Sequence, residues 1–178
     1  MNETFRRVVT GLNDNGKSCV TIDGPPGKWI DEAAGGLFSL WQSENSVRPK
    51  ESEDAAENRL VLNPPKGGSR VMFFTLPPIP EDTPRDMLEA ATAHAFDQID
   101  ATGNRVDTSR HPAMHQTDTI DYVVVLSGEV KLMLDEDIVE LKPFDVVVQR
   151  ATNHAWFAMN GKPALMAAIL IDADVDRS

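Results

Sequence analysis

The feature that most constrains the fold is a series of short β-branched and apolar runs between residues 120 and 171. Turn formers separate these runs at short, regular intervals, as at Ser127-Gly128-Glu129 and Asn160-Gly161. Strands at this spacing are typical of an all-β sandwich or barrel. Residues before about 80 contain shorter runs of the same kind, broken by turn-forming clusters such as Asn13-Asp14-Asn15-Gly16.

One segment departs from this pattern and predicts a helix over residues 84–100. Apolar residues recur there at helical spacing from Leu88 to Ile99. Thr83 is the expected N-cap, and Pro84 suits the first helical position. His94 lies on this helix and is interpreted as a packed or surface residue rather than a ligand.

Length and charge narrow the class of protein. The chain has 178 residues with 17 basic and 28 acidic side chains, a net charge of -11 that disfavours nucleic acid and anionic membranes as partners. The N-terminus lacks an apolar leader, and the longest apolar run, Ala164 to Ile171, is too short to span a bilayer. We therefore expect a single domain over residues 1–178 and a cytoplasmic location. The acidic stretch from Ser43 to Asn58 is predicted to be a solvated loop.

The residues available for chemistry are few. The single cysteine, Cys19, excludes an intramolecular disulfide and a cysteine-rich zinc site, which leaves four histidines and the carboxylates. In an extended chain His115, Thr117 and Asp121 project from the same face, and His154 begins a later strand. Two imidazoles and one carboxylate can bind a metal ion and leave positions open for substrate. The same side chains are also compatible with a solvent-facing or simply hydrogen-bonded cluster.

The stretch from His115 to Glu129 resembles the first signature of the cupin superfamily, in which two histidines, a glutamate and a glycine follow in that order. His115 matches the first histidine and Gly128 matches the glycine. Asp121 stands at the glutamate position, and Thr117 stands where the family has its second histidine.

The stretch from Pro143 to His154 is similar to the second cupin signature, a glycine–aspartate pair followed by a histidine. Asp145 and His154 match it, whereas Phe144 replaces the glycine. Together the two signatures cover residues 110–173, after N-terminal strands and loops at 1–80 and the helix. They imply a double-stranded β-helix, the small jelly-roll barrel of the cupins.

The resemblance also implies a metal site, with His115, Asp121 and His154 as ligands and Fe, Mn, Ni or Zn as candidate ions. The missing second histidine and the shorter Asp121 leave a second interpretation open. In it the site holds no metal, and histidine and aspartate act as an acid–base pair.

Four further residues are candidates for the pocket. His111 lies four residues before His115 and is a candidate acid–base group or replacement ligand, with a structural role equally open. Arg110 is a candidate partner for a substrate carboxylate, or an ordinary solvated charge. Thr117 is expected to line the pocket, and Trp156 is expected to form an apolar wall or to belong to the core.

The predicted function is that of a small-molecule cupin enzyme. The expected reaction is decarboxylation, dehydration or isomerisation of a small organic acid or carbonyl compound, with a metal as Lewis acid and His111 or Asp121 moving the proton. The alternatives are an Fe(II) dioxygenase and a non-catalytic ligand-binding or sensory cupin with a degenerate metal site. The resemblance further implies a homodimer.

Overall fold

The computed structural model describes residues 5–32, 35–51, 53–56 and 59–177. Helix α1 spans Arg85–Gln98, and a 3₁₀ turn follows at Thr102–Asn104. The strands are, in chain order, β1 Arg7–Leu12, β2 Ser18–Gly24, β3 Lys28–Glu32, β4 Gly35–Ser43, β5 Ser69–Leu76, β6 Thr119–Ser127, β7 Val130–Leu134, β8 Ile138–Leu141, β9 Val146–Arg150, β10 His154–Ala158 and β11 Ala164–Asp172.

The strands form three antiparallel sheets. The largest has the order β3-β4-β5-β11-β6-β9, a second has the order β10-β7-β8, and β1 pairs with β2. An isolated antiparallel bridge joins His115 to His154, the first residue of β10. The prediction of an all-β fold of the jelly-roll cupin type, with N-terminal strands and one helix, is confirmed.

The core lies on the inward face of the six-stranded sheet. Along β11 the buried residues alternate with half-buried or exposed ones, because successive side chains of a strand point to opposite faces. The paired strand β6 follows the same alternation from Thr119 to Val125. The inward residues of these two strands are Thr119, Asp121, Val123, Val125, Ala164, Met166, Ala168 and Leu170. Asp121 therefore occupies a core position, next to apolar neighbours on the same face.

Helix α1 agrees with the predicted segment, but its start differs in detail. The N-cap is Pro84 and has no side-chain capping bond, whereas the Thr83 hydroxyl donates to the carbonyl of Pro80 at 2.7 Å. The prediction of Thr83 as the N-cap is wrong because a preceding turn binds its hydroxyl. No described residue of the helix is buried, and no helix in the described ranges is long and apolar enough to cross a bilayer.

The acidic loop after β4 is partly packed rather than fully solvated. Asp54 forms an ion pair with Arg7 of β1, and Ala56 is buried. Arg7 also donates to the carbonyl of Leu40, so it ties the loop to β4. The expectation of a solvated loop is wrong at these residues; Asn58, its predicted end, lies outside the described residues.

We predict that Gly128→Ala destabilises the barrel through the turn between β6 and β7. Gly128 has φ +78°, and a Cβ there would lie 2.6 Å from the carbonyl oxygen of Pro163. The free energy of unfolding should fall by about 3 kcal/mol, since the strained φ and the collision add. Chemical denaturation measures the change.

Gly161→Ala is the matched control, because Gly161 also has positive φ (+63°) but open space around the added methyl. Its free energy of unfolding should fall by only about 1 kcal/mol, the cost of the positive φ without a collision. Equal losses for the two variants would show that the close approach at Gly128 is not a constraint.

Candidate functional site

A cavity of about 590 Å³ lies between the inward face of the large sheet and helix α1. Most of its wall is apolar, with Leu37, Met72, Phe74, Val123 and Leu170 contributed by β4, β5, β6 and β11. The ionisable side chains among the described residues that line it are His111, His115, Asp121 and His154. Four ionisable groups therefore share a largely apolar chamber.

His115 and His154 are held side by side by the bridge between their backbones. Each backbone N–H donates to the carbonyl of the other residue at 2.9 Å. Their ring centroids are 4.3 Å apart, and the ring of Phe96 from helix α1 meets His115 edge-on at 4.9 Å. The backbone pairing thus places two imidazoles next to each other in the cavity wall.

Hydrogen bonds define which nitrogen of these two rings carries the proton. Nδ1 of His115 lies 3.0 Å from the carbonyl oxygen of Ala113, and Nδ1 of His154 lies 2.9 Å from that of Thr152. A carbonyl oxygen only accepts, so each Nδ1 must be the donor. In the neutral rings Nε2 then carries a lone pair, which can accept a proton or ligate a metal.

The hydrogen bond at Nδ1 of His111 runs in the opposite direction. Its Nδ1 accepts a hydrogen bond from the backbone N–H of Ala113 at 3.0 Å, and its ring packs edge-on against Phe157 with centroids 4.5 Å apart. Both His111 and Phe157 line the cavity. The loop from His111 to His115 therefore presents two imidazoles to one chamber in different hydrogen-bonding states.

Asp121 is a buried carboxyl group with incomplete hydrogen bonding. It is 4% exposed, and its Oδ1 has no hydrogen-bond partner among the described residues. Beside it, the Thr119 hydroxyl donates to that of Thr117 at 2.6 Å. Burial raises the pKa of Asp121 to about 6, although hydrogen bonds from Thr119 and Thr117 act in the opposite direction.

The three imidazoles of the cavity are neutral at pH 7. Burial lowers the pKa of His154 to about 3, with the neighbouring His115 as the next cause. Burial also lowers the pKa of His115 and that of His111, where the charge of Arg85 adds to the effect. The apolar wall thus excludes positive charge from the site.

The predicted metal ligands fit a metal ion only in part. His115 and His154 offer two adjacent Nε2 lone pairs, and Asp121 lines the same cavity. Among the described residues, however, no three histidine, cysteine or acidic side chains form a group that could hold a metal ion. Thr117, at the family's second histidine, is engaged with Thr119 instead. The side chains present do not form a three-ligand centre.

The structure brings most of the predicted site residues together. Thr117 and Trp156 line the cavity with the histidines and Asp121, and the ring centroid of Trp156 is 5.5 Å from that of His154. Arg110 is not brought there. Its exposed guanidinium donates to the carbonyls of Leu134 and Asp135, so main-chain contacts hold it away from the cavity lining.

Sequence reasoning missed the far wall of the cavity. Leu88, Ala91 and Ala95 of helix α1 line it, together with the proline-rich segment at residues 77–80. The apolar spacing along the helix was the available signal, because a helix without buried residues must still shelter its apolar face against something.

Comparison with known proteins finds proteins of similar fold and relatives that match only part of the chain. No family model matches the chain. The phomopsin biosynthesis cluster protein C' of Diaporthe leptostromiformis is 57% identical over 44 residues, 24% of this chain and 23% of the relative. The cupin-domain-containing oxidoreductase fogC of Aspergillus ruber is 35% identical over 65 residues, 34% of this chain and 32% of the relative. The matches thus span a third or less of these relatives.

A solved structure gives the clearest view of the fold. The cupin domain of Schizosaccharomyces pombe Cnp3 aligns with a TM-score of 0.50 and 10% identity, covering 94% of this chain and 87% of that one. At this identity the likeness concerns the fold alone. The resemblance seen in the two signatures is confirmed at that level.

We predict that Asp121→Asn stabilises the protein in a pH-dependent way. The folded-state pKa of about 6 exceeds the ordinary 3.8, so folding favours the neutral acid and stability falls as pH rises between these values. Asparagine cannot ionise. The variant should therefore match the parent near pH 4 and exceed it by about 2–3 kcal/mol at about pH 7.5. Urea denaturation across this range measures the difference.

The control is Asp137→Asn, an exposed carboxylate in the turn between β7 and β8. Its difference from the parent should stay within a few tenths of a kcal/mol at every pH. A constant Asp121→Asn difference from pH 4 to 7.5 would contradict the raised pKa.

Proposed function

We propose that this chain, a cupin by its fold, is an enzyme that moves a proton on a small carbonyl compound, in a decarboxylation, dehydration or isomerisation. The observation that carries the proposal is the buried Asp121, with a pKa of about 6, in an apolar cavity that it shares with three neutral imidazoles. A group that titrates near neutral pH can both accept and return a proton, as general acid–base catalysis requires.

Asp121 and the paired histidines have different tasks in this proposal. Asp121 changes its protonation state, because its pKa of about 6 lets it exchange a proton near neutral pH. His154, with a pKa of about 3, does not hold a proton at neutral pH. Its Nε2, like that of His115, instead accepts a hydrogen bond from a hydroxyl group or a water molecule and orients it.

The apolar wall supports this chemistry by limiting water. Phe74, Leu170 and the helix residues Leu88 and Phe96 line the same cavity, and Phe96 packs against His115. In a water-poor chamber a fixed hydrogen bond or charge acts more strongly on the reacting group than in bulk solvent. A buried carboxyl group with an unpaired oxygen is costly for stability and useful for binding a reacting group.

A metal-dependent oxidoreductase is the second candidate, because the relative from Aspergillus ruber carries the description cupin-domain-containing oxidoreductase. When bound, Fe, Mn, Ni or Zn would supply Lewis-acid or redox chemistry. His115 and His154 would be the donors that this chain offers to such an ion. Stoichiometric metal in protein purified without a histidine tag would favour this candidate over metal-free proton transfer.

We also propose that the chain forms a homodimer through the outward face of strands β11, β6 and β9. Ile169, Tyr122 and Val148 lie opposite one another across these strands and are exposed, and Val146 extends the same surface. A contiguous apolar surface of this kind favours contact with a second copy, against the repulsion between two chains of net charge -11.

The expected effect of Tyr122→Lys is a monomer, because the lysines of two copies would meet in an apolar interface. Light scattering after size exclusion measures the mass. Lys131→Ala, on a half-buried position of β7, is a control outside the surface and should leave the dimer intact. A monomeric parent protein would contradict the proposal.

Proton transfer is tested by hydrogen–deuterium exchange at the α-carbon of ketones. We expect the protein to accelerate exchange of 2-tetralone or 1-indanone in D₂O, followed by NMR. Asp121→Asn should lower the enzymatic rate at least a hundred-fold, since it removes the group that takes the proton. Asp137→Asn should keep the full rate. Retention of the rate in Asp121→Asn would rule out this role of Asp121.

A further inference from the structure

The two backbone groups of Ala113 hold two neighbouring histidines in opposite tautomers. Its N–H donates to Nδ1 of His111, and its carbonyl accepts from Nδ1 of His115, both at 3.0 Å. A nitrogen that accepts an N–H must carry a lone pair, so neutral His111 bears its proton on Nε2. His115 bears its proton on Nδ1. One residue of the main chain therefore leaves His111 a donor and His115 an acceptor at their Nε2 atoms.

The loop around His111 fixes the direction of this donor. Pro112 is fully buried, and its carbonyl accepts two hydrogen bonds from Arg105, at 3.0 and 3.2 Å. The backbone N–H of Met114, also fully buried, donates to the carbonyl of His111 at 3.0 Å. With the ring also held edge-on by Phe157, the imidazole has little freedom to turn.

His111 keeps an unused N–H on the cavity wall. Its Nδ1 is engaged by Ala113, and no partner for Nε2 is found among the described residues. Burial, followed by the charge of Arg85, lowers the pKa of His111, so the ring is neutral at pH 7. The wall thus contains one directed, uncharged hydrogen-bond donor that the proton-transfer scheme above leaves without a task.

The remaining lining excludes a cationic partner for a substrate. No lysine or arginine occurs among the described residues of the wall. Arg110 is held elsewhere by carbonyls, and Arg85, whose charge acts on His111, donates to the carbonyls of Thr108 and Ser109 outside the cavity lining. An ionised carboxylate moved into such a chamber loses its hydration without a compensating charge. A ketone or aldehyde needs only one N–H for its oxygen and can place its carbon skeleton against the apolar wall.

We propose that Nε2–H of His111 binds the carbonyl oxygen of a neutral, largely apolar ketone or aldehyde, and that ionised organic acids are poor ligands of this cavity. The inference rests on the proposed function insofar as the cavity is the substrate site. It narrows the substrate class to neutral carbonyl compounds, which leaves dehydration or isomerisation and removes the decarboxylation of an ionised acid. It assigns the recognition of the carbonyl oxygen to His111, while Asp121 moves the proton.

The tautomers are tested first, without any ligand. Long-range ¹H–¹⁵N correlation spectra of protein labelled with ¹⁵N-histidine distinguish the two neutral forms, and His94→Gln removes the signal of the helix histidine. We expect a protonated Nε2 at His111 and a protonated Nδ1 at His115 and His154. A protonated Nδ1 or an imidazolium at His111 at pH 7 would overturn the proposal.

Ligand recognition is tested with three probes of similar size: 2-acetylnaphthalene, 2-ethylnaphthalene and 2-naphthoate. NMR titration measures their dissociation constants. For the parent protein we expect the ketone to bind about five-fold more tightly than the hydrocarbon, the difference that one net hydrogen bond makes. The carboxylate should bind more weakly than the ketone by a factor of ten or more.

Variants of His111 separate the contribution of the N–H donor to binding from that of the flat ring. His111→Gln offers an amide N–H near the position of Nε2 and should keep the preference for the ketone over the hydrocarbon. His111→Phe keeps a flat ring without a donor and should reduce the ratio to about one. Thermal unfolding of each variant establishes that it is folded, and the spectra of the parent protein test the tautomer independently of both variants.

The outcomes separate this proposal from the proposed function. Tighter binding of 2-naphthoate, an unchanged ratio in His111→Phe, or binding of none of the three probes would overturn it, even if α-proton exchange depends on Asp121. The expected binding pattern without any exchange activity would support carbonyl recognition by His111 and contradict the enzyme assignment.

Discussion

The alternation of inward and outward side chains along β6 and β11 is the constraint on which the rest of the structure depends. Val123, Val125 and Met166 take inward positions and build the core. The same rule carries Thr119 and Asp121 inward at the start of β6, where the core opens into the cavity. A shift of one residue in register would send these polar side chains to solvent and place Tyr122 in the core.

This position of the carboxyl group determines the electrostatics of the site. An apolar surrounding favours the neutral form of every titratable group, so it raises the pKa of Asp121 and lowers that of His154. Main-chain carbonyls offset part of the cost for the rings, because Ala113 and Thr152 each accept an Nδ1–H. The result is a polar site that is hydrogen-bonded and nearly uncharged.

The sequence could predict those parts of the fold and site that depend on the spacing of apolar residues along one strand or helix. The two signatures placed Asp121 and His154 correctly inside a barrel, because strand period and turn residues fix which way each side chain points. Arg110 and Thr83 were misplaced, since carbonyls of a distant turn and of a preceding residue bind them. The cavity wall from β4 and β5 depends on pairing between distant strands, which no local pattern encodes. The tautomers depend on hydrogen bonds between residues two apart, whose direction follows from the loop conformation and not from the residue types.

The role of Ala113 has a consequence for how such a site can diverge. Both hydrogen bonds use its main-chain groups, so almost any side chain at this position leaves the N–H and the carbonyl in place. Proline is the exception, because it has no N–H to offer His111. Mutation can therefore reshape the apolar wall, and with it the size of the accepted molecule. The backbone at position 113 meanwhile keeps His111 a hydrogen-bond donor and His115 an acceptor.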